Sequence, residues 1–258
     1  MFFNTHTHIN DLNIENVEEL INNALKNNVN YLCVIGTNIA DSIKAIELAH
    51  TYSNVYAVCG IHPSELKTFN DDFTLLETLY NDEKTVGIGE IGLDYHYLDS
   101  DKEIQLKYFE KFLIQATKYK KPVIIHCRDA YLDTYNLLEK YHKKLDGIIM
   151  HCYSGSKEMM ERFLKLGCYI SFSGVVTFKN AKSVKEVASF VPLDKLLIET
   201  DDPYLTPHPF RGQKNQPAYV YYVAEEIARI KNLSVEEIAQ ITTNNAKKVF
   251  HLWKKLKK

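Results

Sequence analysis

The feature that most constrains the fold is a repeated alternation between short apolar segments and longer segments with helical periodicity. Most of the short segments are bounded by Gly, Pro, Asn or Asp, and several are continuous apolar runs, which is typical of strands covered on both faces. There are eight, at residues 2–8, 31–36, 55–61, 85–92, 123–127, 148–152, 169–173 and 196–200. This pattern predicts an α/β fold, a single-domain (β/α)8 TIM barrel.

Helical segments separate the predicted strands. Residues 17–28 and 104–119 carry apolar side chains at i, i+3 and i+4 spacing, as helices packed on a core do. Asp41 and Ser42 are predicted to open a helix, and Ser234 with Glu237 forms a capping box. The alternative is an open, doubly wound sheet, but that fold usually has a Gly-rich first turn and none follows residues 2–8.

Composition limits the class of protein further. No Pro/Gly/Ser-rich linker interrupts the chain, so we predict one domain over residues 1–258, ending in a basic tail at 253–258 that frays in solvent. The formal net charge of -2 argues against nucleic-acid binding through a global field, although a local cationic cleft is compatible with it.

The expected compartment follows from three features of the sequence. No apolar run approaches the roughly 20 residues of a membrane span, and the first residues do not resemble a signal peptide. Five cysteines without a CxxC pair indicate a reducing compartment and no disulfide framework. We therefore predict a cytoplasmic protein with neither a membrane partner nor an obligatory protein partner.

Metal-binding residue types collect where the predicted strands end. They are His6, His8, His62, Glu90, His126, His151 and Asp201. Parallel barrel strands all end at one rim, where enzymes of this fold build their active sites. Because side chains alternate along a strand, His6 and His8 point to the same side. The seven residues are therefore expected to surround one mouth of the barrel.

This set favours a metal centre. One such histidine alone would more simply be a hydrogen-bonded core residue, but burying several imidazoles and two carboxylates without a cation is costly. Imidazole and carboxylate ligands suit Zn, Mn or Ni, and carboxylate oxygens also hold Mg. Six ligands with one bridging carboxylate can hold two ions, an arrangement that activates water and stabilises a displaced oxygen.

Candidate substrate-binding residues flank the same rim. Arg128 and Arg211 are two of only four arginines, and guanidinium recognises phosphate through two parallel hydrogen bonds. A surface salt bridge is the alternative for each. A loop tyrosine such as Tyr95, Tyr153 or Tyr204 is a candidate for stacking a nucleobase.

Seven segments in order along the chain resemble the TatD family of metal-dependent deoxyribonucleases. They are THTH at 5–8, GIHP at 60–63, GIGEIGLDY at 87–95, KPVIIHCRDA at 121–130, HCYSG at 151–155, ETDDPY at 199–204, and RG at 211–212 with Asn215. Residues 244–250 are also similar. The resemblance implies a metal-dependent hydrolase on a TIM barrel that cleaves DNA phosphodiester bonds. We expect 3′–5′ exonuclease-like action on single-stranded or frayed ends, because a barrel mouth admits a splayed nucleotide more readily than a stacked duplex.

The resemblance also implies two divalent metal ions per subunit, Mg, Mn or Zn. The six implied ligands are His6, His8, Glu90, His126, His151 and Asp201. Glu90 would bridge the ions. His6, His8 and Asp201 would hold one ion, and His126 and His151 would hold the other. Asp201 would also orient or deprotonate the attacking water, which makes Glu90 and Asp201 the expected catalytic carboxylates.

The expected substrate-binding residues around these ligands are His62, Asp94, Arg128 and Arg211. One departure from the family pattern is visible. The family usually has Asp two residues before its first histidine, and this chain has Asn4. Period two puts Asn4 on the His6 face, which suggests a changed hydrogen bond behind His6.

Three other functions fit parts of the pattern. An amidohydrolase acting on a small cyclic amide or ester uses the same barrel, but it normally has a lysine at the end of strand four, where this chain has Glu90. Ester hydrolysis on misacylated tRNA is attributed to some relatives of the family, and the sequence does not discriminate it. A non-enzymatic metal-binding module would not depend on Glu90 for its function.

Overall fold

Eight parallel strands form one sheet in which each strand pairs with the next in sequence, from β1 to β8. The computed structural model describes residues 1–11 and 14–254. The strands are Phe2–Thr7 (β1), Val29–Ile35 (β2), Val55–Cys59 (β3), Thr85–Asp94 (β4), Val123–Arg128 (β5), Ile148–Met150 (β6), Tyr169–Phe172 (β7) and Leu196–Ile198 (β8). This is the (β/α)8 barrel that the alternating pattern predicts.

The sheet closes because the first and last strands meet. The backbone N–H of Asp201 donates to the carbonyl of His6 at 3.1 Å, and that of His8 donates to the carbonyl of Asp202 at 2.9 Å. Thr7 and Asp202 form a parallel bridge at the same place. The seam of the barrel therefore runs through the segments that carry the predicted ligands of the first ion.

Nine α-helices pack around the barrel within the described part of the chain. They are Val17–Lys26 (α1), Ile39–Thr51 (α2), Thr74–Asn81 (α3), Lys102–Tyr119 (α4), Tyr131–Tyr141 (α5), Lys157–Lys165 (α6), Lys182–Phe190 (α7), Val220–Lys231 (α8) and Val235–Val249 (α9). The capping box of Ser234 and Glu237 is present. The prediction that Asp41 and Ser42 open a helix was wrong, because Asn38 accepts from the N–H of Asp41 and starts α2 three residues earlier.

The strands β6 and β8 end sooner than predicted. The chain leaves β6 after Met150, and Cys152 adopts a φ of 42°. It leaves β8 after Ile198, and Asp201 adopts a φ of 56°. A left-handed backbone cannot continue a strand. Residue 151 lies in a turn, and residues 199–201 lie beyond the end of β8 at the rim.

Two apolar layers hold the barrel together. The larger lies between the strands and the surrounding helices. The smaller takes a residue from every strand, including Phe3, Ile124 and Leu197, and this places it inside the barrel. Phe250 and Leu252, which follow α9, complete this inner layer, so the end of the chain closes the barrel at the amino ends of the strands.

The predicted basic tail lies mostly outside the described residues. Trp253 and Lys254 belong to a 3-10 turn that begins at Leu252, and residues 255–258 are not described. Among the described helices, none combines the length and the apolar character that crossing a membrane requires.

Candidate metal centre

The carboxyl end of the barrel brings together all six residues predicted as metal ligands. His6 and His126 lie near the carboxyl ends of β1 and β5, and Glu90 lies in the middle of the long strand β4. The rest, His8, His151 and Asp201, follow the ends of β1, β6 and β8. All six are buried or half-buried.

A first group of ligand atoms comes from the end of β1, from β4 and from the segment that follows β8. The Nε2 atoms of His6 and His8 lie 3.0 Å apart. Glu90 Oε2 lies 3.3 and 3.7 Å from these nitrogens, and Asp201 Oδ1 lies 3.6 and 3.5 Å from them. Atoms bound about 2.1 Å from one ion are separated by roughly 3.0–3.5 Å. The two imidazole nitrogens and Glu90 Oε2 therefore come close to the spacing around a single cation, and Asp201 Oδ1 lies beside both nitrogens.

A second group shares Glu90 with the first. Its Oε1 lies 2.9 Å from Nδ1 of His126 and 2.7 Å from Nε2 of His151. His62 Nε2 lies 3.8 Å from the same oxygen. Glu90 thus directs one oxygen into each group, which is the arrangement that a bridging carboxylate needs.

Two further carboxylates hold the histidines of the second group. Asp94 Oδ2 lies 2.9 Å from Nε2 of His126, and Glu199 Oε1 lies 3.2 Å from Nδ1 of His151. A carboxylate on one ring nitrogen fixes the tautomer and the direction of the other. Both imidazoles are therefore held with a nitrogen towards Glu90.

The sequence analysis did not single out Glu199. It is fully buried, and its Oε1 also accepts from the backbone N–H of Cys152 at 2.7 Å, while Ser171 donates to Oε2 at 2.5 Å. The signal was present, because a charged residue at the end of an apolar strand must have buried partners. It was missed because Asp201, two residues later, already supplied the expected carboxylate.

Asp94 is among the residues expected to bind the substrate, and the structure shows both of its oxygens engaged by the protein. Oδ2 pairs with His126, and Oδ1 accepts from the backbone N–H groups of His96 and Tyr97 at 2.9 and 3.0 Å. Its visible contribution is to position His126 and the loop that follows β4.

Gly92 lets β4 carry Glu90 and Asp94 to the site. Its φ is 142°, which side chains disfavour, and a Cβ there would lie 2.0 Å from the carbonyl oxygen of His126. Only glycine allows β4 and β5 to approach this closely, and the approach puts Glu90 against His126.

The electrostatics of the cluster attract positive charge. Burial opposes ionisation of Glu90, yet the neighbouring His151 and His6 hold its pKa well below the usual value. Burial also opposes the charged form of His8, but the hydrogen bond that His8 donates to Asp201 and the charge of Glu90 raise its pKa to about 9. The buried carboxylates thus raise the pKa values of His8, His126 and His151, and a divalent cation satisfies the same field.

His62, like His6 and unlike His8, has a pKa below its usual value. Burial and the nearby His126 lower its pKa to about 3, so its ring is neutral. Its Nδ1 lies 2.8 Å from the hydroxyl of Ser64, which orients Nε2 towards Glu90. A neutral imidazole in this position is able to donate or accept a hydrogen bond at the edge of the cluster.

The cluster lies against a cavity of about 910 Å³. Arg128 lines this cavity, as do the exposed rings of Tyr97 and Tyr204. Tyr153 is buried, and Tyr95 is half-buried with its hydroxyl donating to Asp133, so these two candidates for base stacking are already used in the fold.

Arg211 lies elsewhere. Its guanidinium carbon is 3.9 Å from the centre of the Phe178 ring, and Nη1 donates to the carbonyl of Thr206 at 3.0 Å. These contacts hold the loop after β8 together. The described cavity wall includes Arg128 and not Arg211.

Asn4 acts on the backbone near His6. Its amide donates to the hydroxyl of Thr200 at 2.6 Å and accepts from the N–H of Thr200 at 3.0 Å. It also accepts from the N–H of His6 at 3.4 Å. Pairing of β1 is irregular between Asn4 and Thr7, so strict alternation does not carry the Asn4 side chain to the imidazole of His6.

Known proteins are similar to this chain in both sequence and fold. The family model for TatD related DNases matches residues 3–251. The chain is 44% identical over 254 residues to an uncharacterized metal-dependent hydrolase of Bacillus subtilis, YabD, covering 98% of this chain and 100% of that protein. It is 30% identical to the 3'-5' ssDNA/RNA exonuclease TatD of Edwardsiella piscicida, covering 92% of this chain and 94% of that one.

A solved structure agrees. The TatD homologue YjjV of Escherichia coli superposes with a TM-score of 0.89 at 29% identity, covering 97% of this chain and 98% of that one. The family match spans nearly the whole chain, and the residues that build the metal-binding geometry all lie within it. The chain belongs to the TatD family of metal-dependent hydrolases.

Proposed function

We propose that this hydrolase is a divalent-metal-dependent deoxyribonuclease that shortens single-stranded or frayed DNA from the 3′ end. The observation that carries the proposal is Glu90, which directs one oxygen into each of two ligand groups beside a cavity lined by Arg128 and exposed tyrosines. The exonuclease of Edwardsiella piscicida, 30% identical to this chain, supports the substrate class.

The proposed ligand set is that of the two groups. His6, His8 and Asp201 would hold one ion, and His126 and His151 would hold the other. Glu90 would contact both ions. Mg, Mn and Zn each suit these ligands. When bound, such ions supply an activated water and neutralise charge on the phosphate oxygens.

Asp201 is placed to handle a proton in this reaction. Burial alone would raise its pKa, but the hydrogen bond to His8 and the charge of His6 lower it, so the carboxylate is ionised at neutral pH. It is also the more accessible of the two catalytic carboxylates, with 15% of its side chain exposed against 4% for Glu90. It would orient the attacking water and accept its proton.

Arg128 would hold the phosphate. It is the one Lys or Arg that lines the cavity in the described part of the chain. Its N–H groups would stabilise the negative charge that grows on phosphate oxygens as the bond breaks. His62, with its neutral ring beside Glu90, would contribute a hydrogen bond at the same edge.

The size of the cavity favours cleavage at chain ends. About 910 Å³ lies near the upper limit of small-molecule sites, which run to roughly 1,000 Å³. Such a space accommodates a terminal nucleotide whose base has been unstacked, and it does not admit a stacked duplex. A single-stranded or frayed end would therefore be the preferred substrate.

One observation favours a second candidate, ester hydrolysis on misacylated tRNA. Five carboxylates outside the ligand groups line the same cavity, namely Asp11, Asp41, Glu65, Asp94 and Asp99. An acidic wall repels a polyanion but attracts the α-ammonium group of an aminoacyl ester. The two candidates differ in the bond that is cleaved, and a direct assay separates them.

The test is cleavage of an end-labelled single-stranded DNA oligonucleotide by chelated protein resupplied with Mg, Mn or Zn. We expect a metal-dependent ladder that shortens from the 3′ end and disappears in Glu90→Ala, with circular dichroism confirming that the variant is folded. Retained turnover in Glu90→Ala would contradict the two-ion mechanism. No cleavage by folded, metal-loaded protein, together with deacylation of misacylated tRNA, would establish the second candidate instead.

A further inference from the structure

We infer that Tyr97 and Arg128 form a nucleotide subsite at the rim of the cavity, in which Tyr97 stacks the terminal nucleobase and Arg128 binds the adjoining phosphate. The inference rests on the proposed function and adds to it the residue that recognises the base. Neither the family match nor the relatives' names assign a role to Tyr97.

Tyr97 is an exposed aromatic ring that contacts the side chains of Arg128 and His96. Its side chain is 63% exposed, the highest value among the large hydrophobic residues described, and it lines the same cavity as the metal-binding cluster. The Arg128 guanidinium carbon lies 4.6 Å from the ring centre, and the ring of His96 meets it at 4.8 Å and 89°. Exposing an apolar ring to water is unfavourable, so its position beside the cluster is consistent with a binding role.

The stacked pair divides the chemistry of a nucleotide between two side chains. A guanidinium that lies over a ring uses its face, which leaves its N–H groups at the edge free for a phosphate. A tyrosine ring accepts any nucleobase because every base has a π-face. Tyr97 and Arg128 together therefore match a base and the phosphate attached to it.

The loop that carries Tyr97 is fixed relative to the metal-binding cluster. Asp94 Oδ1 accepts from the N–H of Tyr97 at 3.0 Å, while Oδ2 of the same carboxylate pairs with His126 at 2.9 Å. One side chain thus connects the stacking ring to a predicted metal ligand. A base on Tyr97 would set the position of its phosphodiester relative to the cluster.

The far side of this loop is held from α4. The Gln105 side chain accepts from the N–H of Asp94 at 2.7 Å and donates to the carbonyls of Asp94 and Ser100, both at 2.8 Å. Gln105 is itself buried. A loop connected at both ends is preorganised, and binding to it loses less conformational entropy.

The test compares two 3′-end-labelled oligonucleotides that differ only in whether the terminal nucleotide carries a base or an abasic tetrahydrofuran. In the metal-loaded wild-type protein we expect kcat/KM to be about 10- to 100-fold higher for the end with a base. Tyr97→Ala should remove this preference, mainly through KM, and leave the abasic substrate unaffected. Tyr97→Phe should keep the preference, and Leu98→Ala, an exposed neighbour on the same loop, serves as the control.

Calorimetry makes the test independent of turnover. We expect thymidine 5′-monophosphate to bind metal-loaded protein about 10- to 100-fold more tightly than deoxyribose 5-phosphate, and Tyr97→Ala to abolish the difference. Equal losses on both ligands, or no loss, in Tyr97→Ala would overturn the subsite. A protein that cleaves no DNA but still shows the Tyr97-dependent difference would refute the proposed function and leave the nucleotide subsite supported.

Discussion

The two ends of the barrel differ in the side chains that fill them, which are apolar at one end and ionisable at the other. At the amino ends of the strands, the interior is closed by an apolar layer to which Phe3 and Phe250 belong, with their rings stacked 5.9 Å apart. At the carboxyl ends, the interior carries imidazoles and carboxylates that open onto a cavity of about 910 Å³. A single set of eight strands therefore supplies a closed apolar end and an open charged one.

The difference separates stability from chemistry. Apolar burial is favourable by itself, whereas a cluster of ionisable groups is stable only when its charges are compensated. The closed end should therefore determine how tightly the protein folds, and the open end what it binds and cleaves. Changes at each end should affect different measurements.

The largest expected effect on stability lies at the closed end. Phe3 is fully buried and stacks on Tyr31 and Phe250. Phe3→Ala should lower the free energy of unfolding by about 3–5 kcal/mol, because it leaves a cavity inside the barrel. Urea denaturation measures this, and the control Phe190→Ala removes a half-exposed ring from α7. A loss of kcat/KM in the still-folded Phe3→Ala protein would show that the ends are coupled.

The second effect belongs to the open end. Adding Mn to chelated protein at about 100 times its dissociation constant should stabilise the fold by about 2.7 kcal/mol per site. The ion replaces the protons that the buried carboxylates draw onto His8 and its neighbours. Glu90→Gln should abolish most of this gain, as measured by thermal unfolding with and without Mn. An equal gain in Glu90→Gln would place the ion elsewhere.

A smaller effect is expected for Glu199, which contacts the predicted ligand His151 and not an ion. Glu199→Gln removes the charge behind His151 and should weaken metal binding by about 10–100-fold. Competition with a fluorescent chelator measures the affinity. The matched control is Glu77→Gln, which neutralises a carboxylate paired with Lys118 on the helical surface. Unchanged affinity in Glu199→Gln would show that His151 is not a ligand.

The smallest effect returns to the closed end. Lys247 Nζ donates to the hydroxyl of Tyr31 at 3.1 Å and lies 4.3 Å from the centre of its ring. Lys247→Met keeps the aliphatic stem and removes the charge, so it should destabilise the fold by only about 0.5–1 kcal/mol. Thermal unfolding detects a change of this size. A loss above 2 kcal/mol would mean that the closed end depends on this charge as well as on apolar packing.

The fold was predictable because parallel barrel strands are nearly continuous apolar runs. An error of two residues in the end of a predicted strand changes neither the number of strands nor their order. The ends of β6 and β8 were not predictable. They depend on left-handed conformations at Cys152 and Asp201. Cys is not a type that favours this conformation, and Asp, although enriched in it, adopts it at only a few of its positions. The start of α2 was misplaced because Asn38 and Asp41 are both good caps and only geometry selects between them.

The convergence of the six predicted ligands at one rim could be predicted from the sequence, but the carboxylates that support them could not. Histidines at successive strand ends converge in any parallel barrel, so their residue types and positions sufficed. The pairings of Asp94 with His126 and of Glu199 with His151 depend on side-chain direction, which a single sequence does not encode. Tyr97 was missed for the same reason, since its neighbours Tyr95 and His96 are equally plausible by spacing alone.

The seam between β1 and β8 has a consequence for how the protein is made. His6 and Asp201 meet there although 194 residues separate them along the chain. During synthesis the first ligands leave the ribosome long before the last one exists, so the first metal-binding group is incomplete until the final strand has emerged and joined β1. A nascent chain stalled before residue 201 lacks this group, and an ion that binds the folded protein would link β1 to the segment that follows β8.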